Sequence, residues 1–119
     1  MIRLQLKQTH VSPGQIVRGD CYWQTNSDKD FQPATLKIGW RTEGRGDTEK
    51  IELFSQQIRL ASLVPVPFEY EIPLSAPLSY DGELIRIIWE VMVESKQGFF
   101  SEKEQDKVII RVVSCLAKL

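Results

Sequence analysis

The feature that most limits the possible folds is a regular alternation of apolar and polar residues at positions 85–94. The odd positions of this stretch are all apolar, namely Ile85, Ile87, Trp89, Val91 and Val93. The even positions include Arg86, Glu90 and Glu94. A period of two is typical of a β-strand, which turns alternate side chains to opposite faces. One such strand cannot bury its apolar face alone, so the pattern predicts a sheet that is covered by a second sheet.

Further alternating segments fill the rest of the chain, at residues 2–7, 16–24, 36–41, 49–60 and 68–72, with an apolar closing run at 108–113. No ten-residue stretch has the apolar period of an amphipathic helix. The sequence therefore predicts an all-β chain, an antiparallel sandwich of about seven strands that occupies residues 1–119 as one domain. The alternation slips at residues 54–57, which predicts a β-bulge or a break. Gly19, inside a strand, predicts a bulge or the close approach of another backbone.

Composition excludes several classes of function. Hydrophobic residues make up 42% of the 119 residues and charged residues 26%, as in a globular domain rather than a disordered chain. The net charge of −1 gives no basic field to attract nucleic acid, so nucleic-acid binding is not expected. Residues 1–8 lack the apolar core of a signal peptide, and no window is long and apolar enough for a transmembrane helix. A cytoplasmic location is expected.

The cysteines and acidic residues predict neither a metal site nor a bound cofactor. Cys21 and Cys115 belong to no Cys-x-x-Cys motif, and without an export signal they are expected to be free thiols. They would pair only if the fold brought them together. Asp28 and Asp30 are too few carboxylates for a cation site. No glycine-rich phosphate-binding loop precedes a helix.

Catalysis is not expected either. His10 is the only histidine, and no nucleophile motif lies near it. Two pairs of carboxylates, Glu69 with Glu71 and Glu90 with Glu94, have the spacing that places both on one face of a strand. Such a pair can perform acid–base chemistry, but it more often keeps the outer face of a sheet solvated. No catalytic residue is therefore assigned, and an unrecognised hydrolase is the third hypothesis for function.

The order of these features resembles one domain of the arrestin-like family. Its first part is residues 11–19, a proline-glycine turn followed by a strand that contains a glycine, with the sequence VSPGQIVRG. Residues 68–74 and the 85–93 strand are similar to the segment that precedes and forms the family's long central strand, as are the residues between them, Pro77, Ser79, Tyr80 and Gly82. The closing strand at 107–113 also fits. The resemblance covers most of one such domain and implies an immunoglobulin-like β-sandwich.

The resemblance also implies a non-enzymatic role. The family works in scaffolding, receptor adaptation and trafficking, so this chain is expected to be a protein-interaction or adaptor module. Arrestin-like proteins usually join two sandwiches, whereas 119 residues supply one. A protein partner or self-association, for example as a homodimer, is therefore expected. No cluster of arginines and lysines of the phosphate-sensing kind is present, so recognition of receptor tails does not carry over.

The predicted partner-binding residues are Phe99 and Phe100, two adjacent aromatics in an otherwise polar loop. Neighbouring residues of an extended segment point in opposite directions, so one can pack inward while the other is exposed. An exposed aromatic at a loop tip can anchor a protein partner or enter a membrane interface. Structural packing is the alternative.

Two other binding modes follow from the tryptophans and the prolines. Trp23, Trp40 and Trp89 share strand parity with apolar neighbours, which predicts that they lie in the core. If they were instead exposed together on one face, they would form a stacking platform for sugar rings, and a carbohydrate-binding module is the second hypothesis. A sheet edge near Pro65 and Pro67 could accept an extended peptide by strand addition. The same prolines equally serve to block edge pairing.

Overall fold

The computed structural model describes residues 2–24, 31–44, 46, 48–96 and 103–114. Its nine strands are β1 (Ile2–Leu6), β2 (His10–Val11), β3 (Ile16–Trp23), β4 (Phe31–Gly44), β5 (Lys50–Ala61), β6 (Val66–Glu71), β7 (Tyr80–Asp81), β8 (Ile85–Lys96) and β9 (Lys103–Val112). The all-β prediction is confirmed. The described residues form nine strands rather than about seven because β2 and β7, with two residues each, are too short to produce an alternating pattern. In the described residues, no helix is long and apolar enough to cross a membrane.

The strands form two facing sheets. The smaller sheet has the order β1-β3-β6, and the larger has the order β2-β9-β8-β4-β5, with β7 beside β8. All named strand pairs are antiparallel except β2 with β9. The strand predicted from residues 85–94 is β8, which lies in the middle of the larger sheet between β4 and β9. The predicted sandwich is therefore confirmed, with the strongest alternation in its central strand.

The core lies between the two sheets and is built from the inward-facing residues of both. Its largest fully buried side chains are Trp23, Trp89, Leu36, Ile38, Leu60, Ile72 and Ile110. Trp23 and Trp89 have the core positions that their parity predicts, and Trp40 is half-buried. Buried polar groups usually have hydrogen-bond partners, as the Gln32 amide does by donating to Ser95 Oγ over 2.6 Å. Trp23 Nε1 is an exception, with no partner among the described residues.

The turn at residues 12–15 is joined to the end of β6. The Gly14 amide donates to the Ile72 carbonyl over 2.7 Å, and the Ile72 amide donates to the Gln15 carbonyl over 2.9 Å. Gly14 has a φ of 89°, in the left-handed region that glycine adopts without a steric penalty. Residues 11–19 and 68–74, two of the segments that carry the family resemblance, are thus joined by backbone hydrogen bonds.

A β-bulge is present in β5, but it lies just before the predicted segment 54–57, which itself pairs regularly with β4. The pairing of β4 with β5 shifts register between Ile38 and Gly39, which leaves Leu53 of β5 as the extra residue of a β-bulge. At Gly19, a Cβ atom would collide with the backbone oxygen of Gln5 and lie 2.9 Å from the Phe68 ring. Gly19 therefore marks the close approach of a neighbouring backbone, one of the two alternatives that its place in a strand predicted.

Candidate protein interface

Several of the sequence-predicted positions lie outside the described residues. These are Phe99 and Phe100, the acidic residues Asp28 and Asp30, and Cys115. The assignment of partner binding to the two phenylalanines therefore stays a prediction. The same holds for the distance between the two cysteines.

The carboxylates on the outer face of the larger sheet are paired with cations. Glu90, with 5% of its surface exposed, lies 3.9 Å from Arg41 Nη1 and 3.8 Å from Lys50 Nζ. Glu94 accepts a hydrogen bond of 2.8 Å from Lys37 Nζ, and this bond is the main cause that raises the pKa of Lys37. These side chains form a ladder of ion pairs across neighbouring strands. The sequence predicted that Glu90 and Glu94 keep the outer face solvated, but Glu90 is buried and Glu94 is half-buried, so their role is ion pairing across strands.

His10 and the acidic residues do not converge on a centre. His10 is exposed on β2, and its Nδ1 lies 3.3 Å from the hydroxyl of Thr9. Glu69 pairs with Arg18 across the outer face of the smaller sheet, over 3.2 Å. Within the described ranges, no group of three or more His, Cys, Asp or Glu residues is placed to hold a metal ion.

Cys21 is enclosed in the core and has no exposed surface. Burial, with a smaller contribution from the negative charge of Asp20, raises the pKa of Cys21 to about 12 from an ordinary value of 9.0. A thiol in this environment stays protonated at neutral pH. Since the thiolate is the reactive form, Cys21 is a packing residue rather than a nucleophile.

This pKa makes stability fall at alkaline pH. The unfolded chain loses the Cys21 proton near pH 9, whereas the folded chain holds it until about pH 12. The stabilisation that Cys21 provides is therefore fully present below pH 9 and is lost as the pH rises toward 12. We expect this loss to lower the free energy of unfolding by about 1.4 kcal/mol between pH 7 and pH 10. Urea denaturation at both pH values measures this loss, and Cys21→Ala should show a smaller one. Equal losses in the two proteins would contradict it.

The larger sheet continues beyond the smaller sheet at the end where β8 begins. Alternate residues of β8 share the inner face, and their burial falls steadily toward this end. Trp89 is fully buried, Ile87 is half-buried, and Ile85 is 46% exposed. The sequence assigned all three to the core. The difference arises because the covering strands stop short of the end of β8.

Neighbouring strands extend the same uncovered face. Directly opposed residues of antiparallel strands lie on one face, and Tyr80 of β7 is opposite Ile87. On the other side of β8, Trp40 is opposite Trp89, and Ile51 is opposite Trp40. Tyr80 is 54% exposed and Ile51 is 38% exposed. We call this surface the apolar overhang, formed by Trp40, Ile51, Tyr80, Ile85 and Ile87.

The connection from β6 to β7 covers the core only as far as Trp89. The indole Nε1 of Trp89 donates to the Pro77 carbonyl over 2.8 Å, which fixes this connection on the core. Beyond it lies the apolar overhang. Charged residues of the same strands lie on the opposite, outer face, where Arg86 Nε is 2.9 Å from Asp81 Oδ1 and Arg86 Nη1 is 3.5 Å from Glu43 Oε1.

Comparisons with known proteins support the fold. No protein-family model matches the sequence, and no curated protein matches it either. Among solved structures, the chain is similar to Spo0M, a sporulation control protein from Bacillus subtilis, with a TM-score of 0.68 and 16% sequence identity. The match covers 96% of this chain and 49% of the Spo0M chain, so this chain spans about half of that protein's length. The chain therefore has the all-β, arrestin-like sandwich fold that its sequence predicted.

Proposed function

We propose that this chain is a non-catalytic protein-interaction module that binds a partner protein through the apolar overhang. One observation carries the proposal. The core-facing row of β8 continues past its cover, so Ile85 and Tyr80, which lies opposite Ile87, are about half exposed on the face that forms the core elsewhere. Large exposed apolar patches mark interaction sites on soluble proteins.

The chemistry of the surface favours a protein partner over a sugar or a small substrate. Aromatic residues are enriched among the residues that dominate protein–protein affinity, and the overhang offers Tyr80 and Trp40 beside branched aliphatic chains. A stacking platform for sugars would need exposed tryptophans, whereas Trp23 and Trp89 are enclosed in the core. Glu90 and Glu94, the carboxylates with catalytic spacing, face cations instead of a shared cleft. The adaptor role follows from the resemblance and is part of the proposal.

Replacing Ile51 and Ile85 with serine tests the proposal. The two side chains are 38% and 46% exposed, so the change removes partner contacts without opening the core. Losing about 1 kcal/mol of burial at each position should weaken binding roughly thirtyfold. The measurement is affinity capture from lysate of the source cells, followed by titration of the captured protein against the purified variant. Binding of an apolar fluorescent dye should fall in the same variant.

A matched variant separates the overhang from general surface hydrophobicity. Val64 and Leu74 are exposed apolar residues outside the overhang, so Val64→Ser/Leu74→Ser should keep full partner binding. Thermal unfolding should show that both double variants are folded. If the overhang variant binds the captured protein as tightly as the unmodified chain, the overhang is not the binding surface.

A further inference from the structure

Sheet edges expose unpaired backbone groups. Most edges of this sandwich are protected against pairing with a strand of another chain. At the β1 edge, the Leu4 amide donates to Asp106 Oδ2 of β9 over 2.8 Å, which occupies an edge donor and ties the two sheets together. At the β6 edge, Pro67 has no amide hydrogen to offer. At one edge of the larger sheet, β2 and β7 have two residues each, and the rest of this edge is β9, where four of the residues 103–107 are charged. Short strands, prolines and capped donors are the usual protections against edge pairing.

The opposite edge of the larger sheet is different. Strand β5 has 12 residues and, within the described part of the chain, pairs with β4 alone except at its last residue, Ala61, which forms a bridge with Val64. Because ladder hydrogen bonds alternate along a strand, every second residue of β5 directs its N–H and C=O groups away from β4. The bulge at Leu53 interrupts only the beginning of the strand. Residues 54–60 are regular and contain no proline, no glycine and one charged residue, Arg59.

This regular segment is complementary to itself. If two copies pair in antiparallel orientation about Gln57, Phe54 lies opposite Leu60, Ser55 opposite Arg59 and Gln56 opposite Ile58. This register pairs all of residues 54–60, keeps the inner faces of both copies on one side, and places no like charges opposite each other. The net charge of −1 per chain adds little repulsion between copies.

We propose that the chain forms a homodimer in which the two β5 strands pair in antiparallel orientation about a two-fold axis at Gln57. The larger sheets of both copies then form one continuous sheet, and the same patch is used on each copy, as two-fold symmetry requires. This interface is separate from the apolar overhang, whose residues lie outside 54–60. Each dimer therefore presents two overhangs. A failure of the dimer proposal does not affect the proposed partner binding, and the reverse also holds.

Association of the purified chain, measured by analytical ultracentrifugation over a range of concentrations, tests the proposal. We expect a concentration-dependent dimer. Gln57→Lys places two cations opposite each other on the axis and should weaken association at least tenfold without affecting the monomer fold. Gln5→Lys makes the same charge change on the exposed outer face of β1 and should leave association unchanged. A monomer at every concentration, or a dimer that Gln57→Lys does not weaken, overturns the proposal.

A symmetric cross-link tests the register. In a Cys115→Ser background, Gln57→Cys places the two new thiols opposite each other, and mild oxidation should produce a covalent dimer. The buried Cys21 does not compete, since it has no exposed surface. Gln5→Cys in the same background should run as a monomer in non-reducing gel electrophoresis. If Gln57→Lys weakens the dimer but Gln57→Cys forms no cross-link, the register about Gln57 is wrong.

Discussion

Trp89→Ala is expected to cost about 3–5 kcal/mol of unfolding free energy, the range for removing a fully buried tryptophan. Trp89 has no exposed surface and lies on the central strand of the larger sheet. Its indole also holds the connection from β6 to β7 through the Pro77 carbonyl. Alanine therefore leaves a cavity and releases this connection at once. Chemical denaturation measures the loss.

Two further variants separate these causes. Trp89→Phe keeps most of the ring volume but loses the hydrogen bond to Pro77, so its cost should be about 1–3 kcal/mol. Trp40 lies opposite Trp89 but is only half-buried, so Trp40→Ala should cost clearly less than Trp89→Ala. Equal losses at Trp40 and Trp89 would mean that the overhang is covered in solution.

Gly19→Val is expected to cost about 3 kcal/mol, at the upper end of the usual penalty for overpacking. The new Cβ would collide with the backbone oxygen of Gln5 and approach the side chains of Leu6 and Phe68 to 2.9 Å each. A flexible side chain can move away, but the Gln5 oxygen belongs to β1, whose pairing fixes Leu6 opposite Gly19. Valine must therefore push β1 away from β3.

Arg18→Val is the matched control for Gly19→Val. Arg18 is the preceding residue of β3, lies on the outer face and forms an exposed ion pair with Glu69. Exposed pairs contribute up to about 1 kcal/mol, so this change should cost little. Thermal unfolding of both variants, read by far-ultraviolet circular dichroism, compares them. A Gly19→Val protein that is as stable as Arg18→Val would show that the two backbones are not in close approach.

Much of the fold was predictable because strand alternation is a local property of the backbone. The sequence correctly placed Val91 and Val93 on a buried face and identified the strand that proved to be central. The close approach at Gly19 was one of two predicted alternatives because only glycine leaves this space. Strands β2 and β7 were missed, since two residues show no period.

The candidate interface was less predictable, for a physical reason. Alternation shows which side chains share a face, but not where the opposite sheet ends. Ile85 was assigned to the core, yet it is 46% exposed because the lengths of distant strands determine the cover. The open edge at β5 likewise depends on the strand order of the whole sheet. Phe99 and Phe100, the binding residues that the sequence favoured, lie outside the described residues.

The hydrogen bond between Leu4 and Asp106 has a consequence for how the chain folds during synthesis. Its partners are 102 positions apart in the sequence, so the donor leaves the ribosome long before its acceptor. Until Asp106 emerges, β1 is a nascent strand with an open edge. Domains dominated by such distant contacts fold slowly, in roughly milliseconds to seconds, and expose unpaired strands meanwhile. The risk of aggregation is therefore greatest in chains that stop before β9 is complete.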